Sequence, residues 1–180
     1  MRLTLMVPGA TDGTRRSVFG DAGGLIAPEV RPARPGTMIV CAPEPACVET
    51  ARTVAGAAAG PPSMDALSAP DFGRWTGLSA EQVMERDPAG LQHWLRDPDA
   101  RPHGGESLAG HLGRVAALLD AFAWPDAGAV IVASAFTVRA ACVHALHAGA
   151  ASLLHLDVAP GATATITRNG TTWRLRTLTR

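Results

Sequence analysis

The chain has 180 residues, of which 47% are hydrophobic, and its sixteen basic and sixteen acidic residues leave a formal net charge of zero. This length supports a substantial core, so we expect a single domain over residues 1–180. A balanced charge gives no electrostatic footprint for nucleic acid or for an anionic membrane surface, so we expect neither as a partner.

Apolar runs and cysteines indicate the cellular context. No apolar run reaches the roughly 18 residues that cross a bilayer, and the sequence after Met1 enters a predicted strand rather than a signal peptide. We therefore expect a cytoplasmic location. Cys41, Cys47 and Cys142 are odd in number and lack CxxC spacing, which predicts reduced, buried thiols with neither a disulfide framework nor a zinc site.

The first apolar run, residues 3–7, predicts a buried central strand that breaks into a turn at Pro8 and Gly9. Ligands of parallel α/β sheets bind in the crevice at the carboxyl ends of the strands, so a site should begin at this turn. Residues 12–36 are rich in Gly and Pro without lasting helical periodicity, and they predict a long surface loop.

Two further strand-helix units follow. Residues 37–42 form an apolar run before a predicted helix at 46–58, and residues 129–134 form another before a predicted helix at 136–149. Because the run at 129–134 is apolar on both faces, it predicts a central parallel strand.

Caps mark the helices between these units. Ser79 and Gln82 form a capping box for a helix that runs to about residue 86, because Pro88 terminates it, and residues 91–95 predict a short amphipathic turn. Ser107 is the expected N-cap of a longer helix, whose apolar residues repeat at spacings of three and four.

The last part of the chain predicts a β-hairpin. Residues 164–168 and 172–178 flank the Asn169-Gly170 pair, a strong type I′ turn signal. We expect both strands of this hairpin to join the sheet.

Five stretches resemble the motifs of a known family. Residues 7–11 are similar to Arg-His-Gly-Glu-Thr, and residues 42–51 are similar to Ser-Pro-x-x-Arg-Ala-x-x-Thr-Ala. Residues 67–77 are similar to Leu-x-Glu-x-x-Phe-Gly-x-Trp-x-Gly. Residues 102–107 are similar to Pro-x-Gly-Gly-Glu-Ser, and residues 132–139 are similar to Val-Thr-His-Gly-Gly-x-x-Arg. These motifs belong to the histidine phosphatase superfamily, which the chain resembles over nearly its whole length. The resemblance implies an α/β fold class, a three-layer α/β/α sandwich of the phosphoglycerate-mutase-like type with a mainly parallel sheet.

At five positions the chain departs from the reactive residues of that family. Val7 and Pro8 stand where the family has an Arg and the His that is phosphorylated, and Ala46 replaces a phosphate-binding Arg. Ala69 replaces the proton-donating acid, and Ser134 replaces the second His. Phosphoryl transfer needs a nucleophile, cations that neutralise the phosphate and an acid for the leaving group, so we expect a pseudoenzyme without phosphatase activity.

The replacements are small and mostly apolar, so a crevice lined by them suits a neutral or apolar small molecule. The candidate ligand-binding residues are Pro8, Gly9, Thr11, His103, Glu106, Ser134 and Ala135. A structural explanation also stays open for the cluster of His103, Glu106 and His111, because a capping Glu in the first helical turn and a solvent-facing His would explain it without a function. The catalytic residues, if there are any, are unknown from the sequence.

Other charged residues give weaker signals. His144, His147, His155 and Asp157 lack the tight spacing of a zinc motif, so we expect no metal and no other cofactor. The cations that could still neutralise a bound anion are Arg15, Arg16, Arg114 and Arg139, which sequence alone does not place.

Three functions remain open. The crevice binds or transforms a small molecule without phosphate, as in a specialised biosynthetic pathway, or the chain is a pseudophosphatase that acts through protein contacts, or it is an active phosphatase with an unrecognised site. A large open apolar cavity beside Pro8 would favour the first function, and a filled crevice with a broad exposed apolar patch would favour the second. Homo-oligomerisation also stays open.

Overall fold

The computed structural model describes residues 1–20, 23–24, 32–56 and 60–179. Its strands are β1 (Arg2–Met6), β2 (Met38–Cys41), β3 (Ala129–Val132), β4 (Thr163–Asn169) and β5 (Thr172–Thr179). They form one sheet in the order β2-β3-β1-β4-β5. The first apolar run is therefore the central strand, as predicted, and the predicted hairpin extends the sheet on the other side of β1 from β3.

The direction of the strands follows from these neighbours. β3 pairs in parallel with β1 and β2, whereas β4 pairs antiparallel with β1 and β5. Only β4 among these strands runs against the others, so the sheet is mainly parallel in direction. Leu3 and Leu5 of β1 are buried in the core, as are Ile131 and Val132 of β3. The α/β fold class is confirmed.

The described helices are α1 (Asp12–Arg15), α2 (Pro45–Ala55), α3 (Ala80–Arg86), α4 (Pro88–Arg96), α5 (Leu108–Ala121) and α6 (Ala135–Ala145). Short 3₁₀ turns lie at Asp65–Leu67, Gly73–Trp75 and Ala150–Leu154. The predicted caps are present, since Ser79 Oγ accepts from the amide of Gln82 at 3.2 Å and Ser107 Oγ accepts from that of Gly110 at 3.0 Å. Within the described ranges, none of the helices has the length and apolarity needed to cross a membrane.

The loop prediction is wrong for residues 12–15, which form the short helix α1. Thr11 starts it with a capping box, in which its Oγ1 accepts from the amide of Thr14 at 2.9 Å and its own amide donates to Thr14 Oγ1 at 2.8 Å. These local bonds stabilise one helical turn that apolar periodicity does not reveal. Residues 21–22 and 25–31 of the predicted loop lie outside the described residues.

Two helix boundaries also differ from the prediction. Pro88 begins α4 as well as following α3, because Asp87 caps the new helix by accepting from the amide of Gly90 at 3.0 Å. The predicted turn at 91–95 is therefore part of a helix. The helix predicted at 136–149 ends at Ala145, and residues 57–58 of the predicted helix at 46–58 lie outside the described residues.

Arg114 of α5 connects Glu106, just before this helix, with the first 3₁₀ turn and the residue that follows it. Arg114 donates through Nε and Nη2 to the two carboxylate oxygens of Glu106, at 2.9 and 2.6 Å. Its Nη1 also donates to the carbonyl oxygens of Ala66 and Ser68, at 3.0 and 3.2 Å. One guanidinium thus holds the chain just before Ala69 in place, and bidentate pairing of this kind has a well-defined geometry.

His111 belongs to the same network. It is 0% exposed, and its Nδ1 lies 3.0 Å from Nη2 of Arg114 and 3.5 Å from Oε2 of Glu106. The solvent-facing His considered above is therefore wrong, because the side chain is enclosed beneath the ion pair.

This network predicts a pH-dependent contribution to stability. Burial alone would raise the pKa of Glu106, but hydrogen bonds with His111 and Arg114 outweigh it and lower the pKa from 4.5 to about 2. Because the folded-state pKa is depressed, the stabilisation is fully present above the unfolded-state value and is lost as the pH falls toward 2. We expect Glu106→Gln to lower the free energy of unfolding by on the order of 2 kcal/mol near neutral pH.

Urea unfolding of both proteins near pH 7 and near pH 3 measures this effect. The difference between wild type and Glu106→Gln should shrink at the acidic pH. Glu85→Gln, at an exposed position of α3, is the matched control and should change stability little at either pH. An undiminished difference in acid would contradict the assignment.

Candidate functional site

A cavity of about 570 Å³ opens where β1 and β3 end. The parallel register places Met6 beside Val132, so the residues that follow both strands emerge at one edge of the sheet. The cavity is lined by all five positions at which reactive family residues are replaced, which are Val7, Pro8, Ala46, Ala69 and Ser134. The candidate ligand-binding residues Gly9, Thr11 and Ala135 line it as well.

Pro8 is fixed at the base of the cavity by the backbone around it. The amide of Val7 donates to the carbonyl oxygen of Ala162, and the amide of Gly161 donates to that of Pro8, both at 2.9 Å. Pro8 is buried and has no amide hydrogen of its own. The position therefore offers a ligand an apolar ring and no hydrogen-bond donor.

The cavity hydroxyls of Thr11 and Ser134 serve as helix caps. Ser134 Oγ accepts from the amide of Thr137 at 3.3 Å and lies 3.1 Å from Thr137 Oγ1. Thr11 takes part in the capping box of α1. Among the described residues, the hydrogen bonds of Ser134 Oγ are made with Thr137, so neither a His nor a carboxylate is placed to act as a general base for this hydroxyl.

His103 and Glu106 do not line the cavity. The His103 ring is 2% exposed, accepts at Nδ1 from the amide of Gly105 at 3.0 Å, and has its centroid 4.9 Å from that of Trp75. Burial lowers the pKa of His103, which favours the neutral imidazole. Glu106 is held by Arg114, as described above. Both residues belong to the packing that supports the cavity.

Glycines bring two of the family-like motifs into direct backbone contact. A Cβ at Gly73 would overlap the carbonyl oxygen of His103, and a Cβ at Gly105 would overlap that of Asp71. Gly73 also has a positive φ of 46°. The amide of Glu106 completes the contact by donating to Asp71 at 2.8 Å. This junction positions Phe72, whose ring lines the cavity.

Four aromatic rings form one side of the cavity, which we call the aromatic wall: Phe19, Phe72, Trp94 and Phe136. Neighbouring ring centroids in the wall lie 5.0 to 6.3 Å apart in tilted or edge-on arrangements. Such contacts stabilise aromatic clusters and leave ring faces and edges for further packing. Sequence periodicity did not reveal the wall, because its members come from separate loops and helices.

One cation lines the cavity among the described residues, and it is Arg139 of α6. Its side chain is 20% exposed and lies over the ring of Phe136, with its guanidinium carbon 5.2 Å from the centroid. Nη2 is 3.8 Å from Oδ1 of Asp157, a side chain at the rim that is 96% exposed. Burial lowers the pKa of Arg139 and Asp157 opposes that shift. The other three candidate cations, Arg15, Arg16 and Arg114, do not line it.

Glu44 is a cavity residue that sequence reasoning missed. Its Oε1 accepts from the amide of Ala69 at 2.5 Å, so a carboxylate lies against the position where the family carries its acid. The other oxygen, Oε2, is buried without a hydrogen-bond partner. The available signal was an acidic residue between two prolines at the start of α2, immediately after a strand that ends at the sheet edge.

The remaining reactive groups do not form a site. Cys47 lines the cavity, but burial, reinforced by Glu44, raises the pKa of its thiol well above the ordinary value, so it stays protonated. His144 lies 3.2 Å from Asp120 instead of joining His147 or His155. In the described part of the chain, no three His, Cys, Asp or Glu side chains are grouped so that they could hold a metal ion.

Curated proteins match parts of the chain. A bifunctional protein of Mycobacterium tuberculosis is 36% identical over 99 residues, which cover 53% of this chain and 27% of that protein. Phosphoserine phosphatase 1 of Hydrogenobacter thermophilus is 39% identical over 51 residues, 28% of this chain and 24% of that enzyme. The matches span about a quarter of the length of these relatives.

Solved structures match the whole fold. A mycobacterial glucosyl-3-phosphoglycerate phosphatase in complex with VO3 aligns with a TM-score of 0.77 at 22% identity, over 97% of this chain and 96% of the other. The α-ribazole phosphatase of Shigella flexneri aligns with a TM-score of 0.77 at 21% identity, over 100% and 96%. At these identities the likeness establishes the fold.

A family model covers most of the sequence. The model of the histidine phosphatase superfamily (branch 1) matches residues 25–180, which include the stretches around Ala46, Ala69 and Ser134. The match begins after the turn at Pro8, which carries the first of the replaced residues. The chain belongs to the histidine phosphatase superfamily.

Proposed function

We propose that the cavity binds a small molecule without a phosphate group and that the protein has lost the phosphatase chemistry of its superfamily. One observation carries this proposal: five positions that hold reactive groups in the family line one open cavity, and none of them supplies an imidazole, a guanidinium or a carboxylate. A single-domain organisation, a cytoplasmic location and a role in a specialised biosynthetic pathway remain predictions within this proposal.

The charge of the cavity also argues against a phosphate ligand. Its described lining has one guanidinium, on Arg139, against the carboxylates of Glu44 and Asp157. A phosphate dianion would enter a space whose formal charge is already −1, and removing an unpaired anion from water costs several kcal/mol or more. Pro8 adds no amide donor to compensate.

The size and lining of the cavity fit a small organic molecule. Its volume of about 570 Å³ lies within the range of ordinary ligand pockets. Apolar side chains such as Val7, Leu154 and Val158 line it together with the aromatic wall. An open apolar cavity beside Pro8 supports ligand binding more directly than it supports a pseudophosphatase that acts through protein contacts.

Phosphatase activity is the second candidate, because several similar structures carry phosphatase names. It would require a nucleophile other than an imidazole at positions 8 and 134. Position 8 is a proline without a hydroxyl, and Ser134 already caps α6, as the neighbouring Thr11 caps α1. The observed geometry therefore favours loss of phosphoryl transfer.

The first test of the proposal is enzymatic. We expect the purified protein to hydrolyse p-nitrophenyl phosphate no faster than a buffer blank and to form no phosphohistidine, since the nucleophile, the acid and two of the cations are missing. A ligand that binds the folded state raises the melting temperature. Because we expect phosphate not to bind, millimolar phosphate should leave the melting temperature of the protein unchanged. Turnover that disappears in Ser134→Ala would sink the proposal and support the second candidate.

The second test restores the nucleophile alone. Pro8→His should remain inactive towards p-nitrophenyl phosphate, because Val7, Ala46 and Ala69 still lack the charges and the acid that position and stabilise the transferred group. Pro8→Ala is the matched control for loss of the proline ring, and both variants should be compared by melting temperature. Robust activity of Pro8→His would show that a phosphate site persists in the cavity.

A further inference from the structure

Glu44, the N-cap residue of α2, has no cationic side chain paired with it among the described residues. Its carboxylate has one hydrogen bond, from the amide of Ala69, and its Oε2 is buried with no partner. None of the ion pairs formed by the described residues includes Glu44. A partly enclosed carboxylate is stabilised by a nearby cation, so its unmatched charge favours a positively charged occupant of the cavity.

Arg139 does not supply that cation. Its guanidinium faces Asp157, at 3.8 Å, and covers the ring of Phe136. Its Nε is buried without a hydrogen-bond partner, so these contacts leave part of the guanidinium unsatisfied. Among the described ion pairs Arg139 is paired with Asp157 and not with Glu44.

The aromatic wall adds a second, independent feature that attracts cations. The chain contains four Phe, four Trp and no Tyr, and half of these eight aromatic residues line the cavity. The π faces of aromatic rings carry partial negative charge and attract ammonium groups, most strongly where water is excluded. The same rings provide the apolar surface that packs against the body of a ligand.

We propose that the ligand is an organic cation, an ammonium group attached to an apolar or aromatic skeleton, with its charge balanced by Glu44 and its body packed on the aromatic wall. This inference rests on the proposed function, because it assigns a chemical class to the ligand of the same cavity. It replaces the expectation of a neutral ligand, which the sequence suggested while Glu44 was unplaced.

Three probes with one skeleton test the charge preference: 2-phenylethylammonium, 2-phenylethanol and phenylacetate. Their dissociation constants are measured by isothermal titration calorimetry, and amide shifts at Gly9 and Ser134 in NMR spectra report binding in the cavity. We expect the cation to bind about tenfold more tightly than the neutral alcohol, and phenylacetate to bind most weakly. This comparison uses the wild-type protein and needs no variant.

Glu44→Gln removes the charge and keeps the size of the side chain. It should reduce the advantage of the ammonium over the alcohol to about twofold or less, with little change for the alcohol. Glu85→Gln makes the same change of charge at an exposed position outside the cavity and should keep the full preference. Melting temperatures of both variants verify folding, and Glu44→Asp, which keeps the charge, should retain part of the preference.

Each other outcome has a defined meaning. Equal binding of the ammonium and the alcohol, or an unchanged preference in Glu44→Gln, would overturn the cation while leaving a ligand-binding cavity in place. Tighter binding of phenylacetate would reverse the assignment in favour of Arg139. Failure of all three probes to bind would also overturn the inference of a cationic ligand. The proposed function itself would be contradicted only if inorganic phosphate bound or p-nitrophenyl phosphate were hydrolysed.

Discussion

Parallel pairing of β1 with β3 is the constraint on which the site depends. Because Met6 lies beside Val132, the chain leaves both strands at one edge, and the amide of Ala133 continues the ladder by donating to Met6 at 3.0 Å. Pro8 and Ser134, which are far apart in sequence, therefore face one cavity. The residues that follow these two strands therefore form part of the cavity, at the edge of the sheet where ligands of parallel α/β folds bind.

The other side of the cavity depends on contacts between loops. Backbone segments around Gly73 and Gly105 approach too closely for side chains, and Arg114 holds the carbonyl groups just before Ala69. The family-like residues in these stretches thus stabilise the fold, and this role does not require catalysis. The residues of Phe-Gly-x-Trp and Gly-Gly-Glu-Ser therefore have a structural role of their own in this chain.

The sequence predicted correctly those features that depend on neighbouring residues in the chain. Apolar runs located the strands, Ser79 and Ser107 were identified as caps, and the motif frames brought five replaced positions to one cavity. It failed where the outcome depends on tertiary neighbours. His103 and Glu106 lie in a family-like motif but pack beneath the cavity, and α1 depends on side-chain bonds of Thr11 that periodicity does not register. Glu44 was missed because its significance comes from contact with Ala69, 25 residues away.

The position of Glu44 changes the charge that we infer for the cavity from the replaced residues. From the sequence alone, Ala69 in place of the family's acid indicates that a negative charge is absent from this position. In the fold, however, the carboxylate of Glu44 at the start of α2 accepts a hydrogen bond from the amide of Ala69. The described lining of the cavity therefore has the carboxylate of Glu44 beside Ala69 and a single guanidinium, on Arg139. Because a phosphate pocket requires positive charge, the proposed loss of phosphate binding and the carboxylate of Glu44 together favour a cationic ligand over an anionic one. One carboxylate and four aromatic rings in a single cavity are the combination on which the proposed binding of a cation rests.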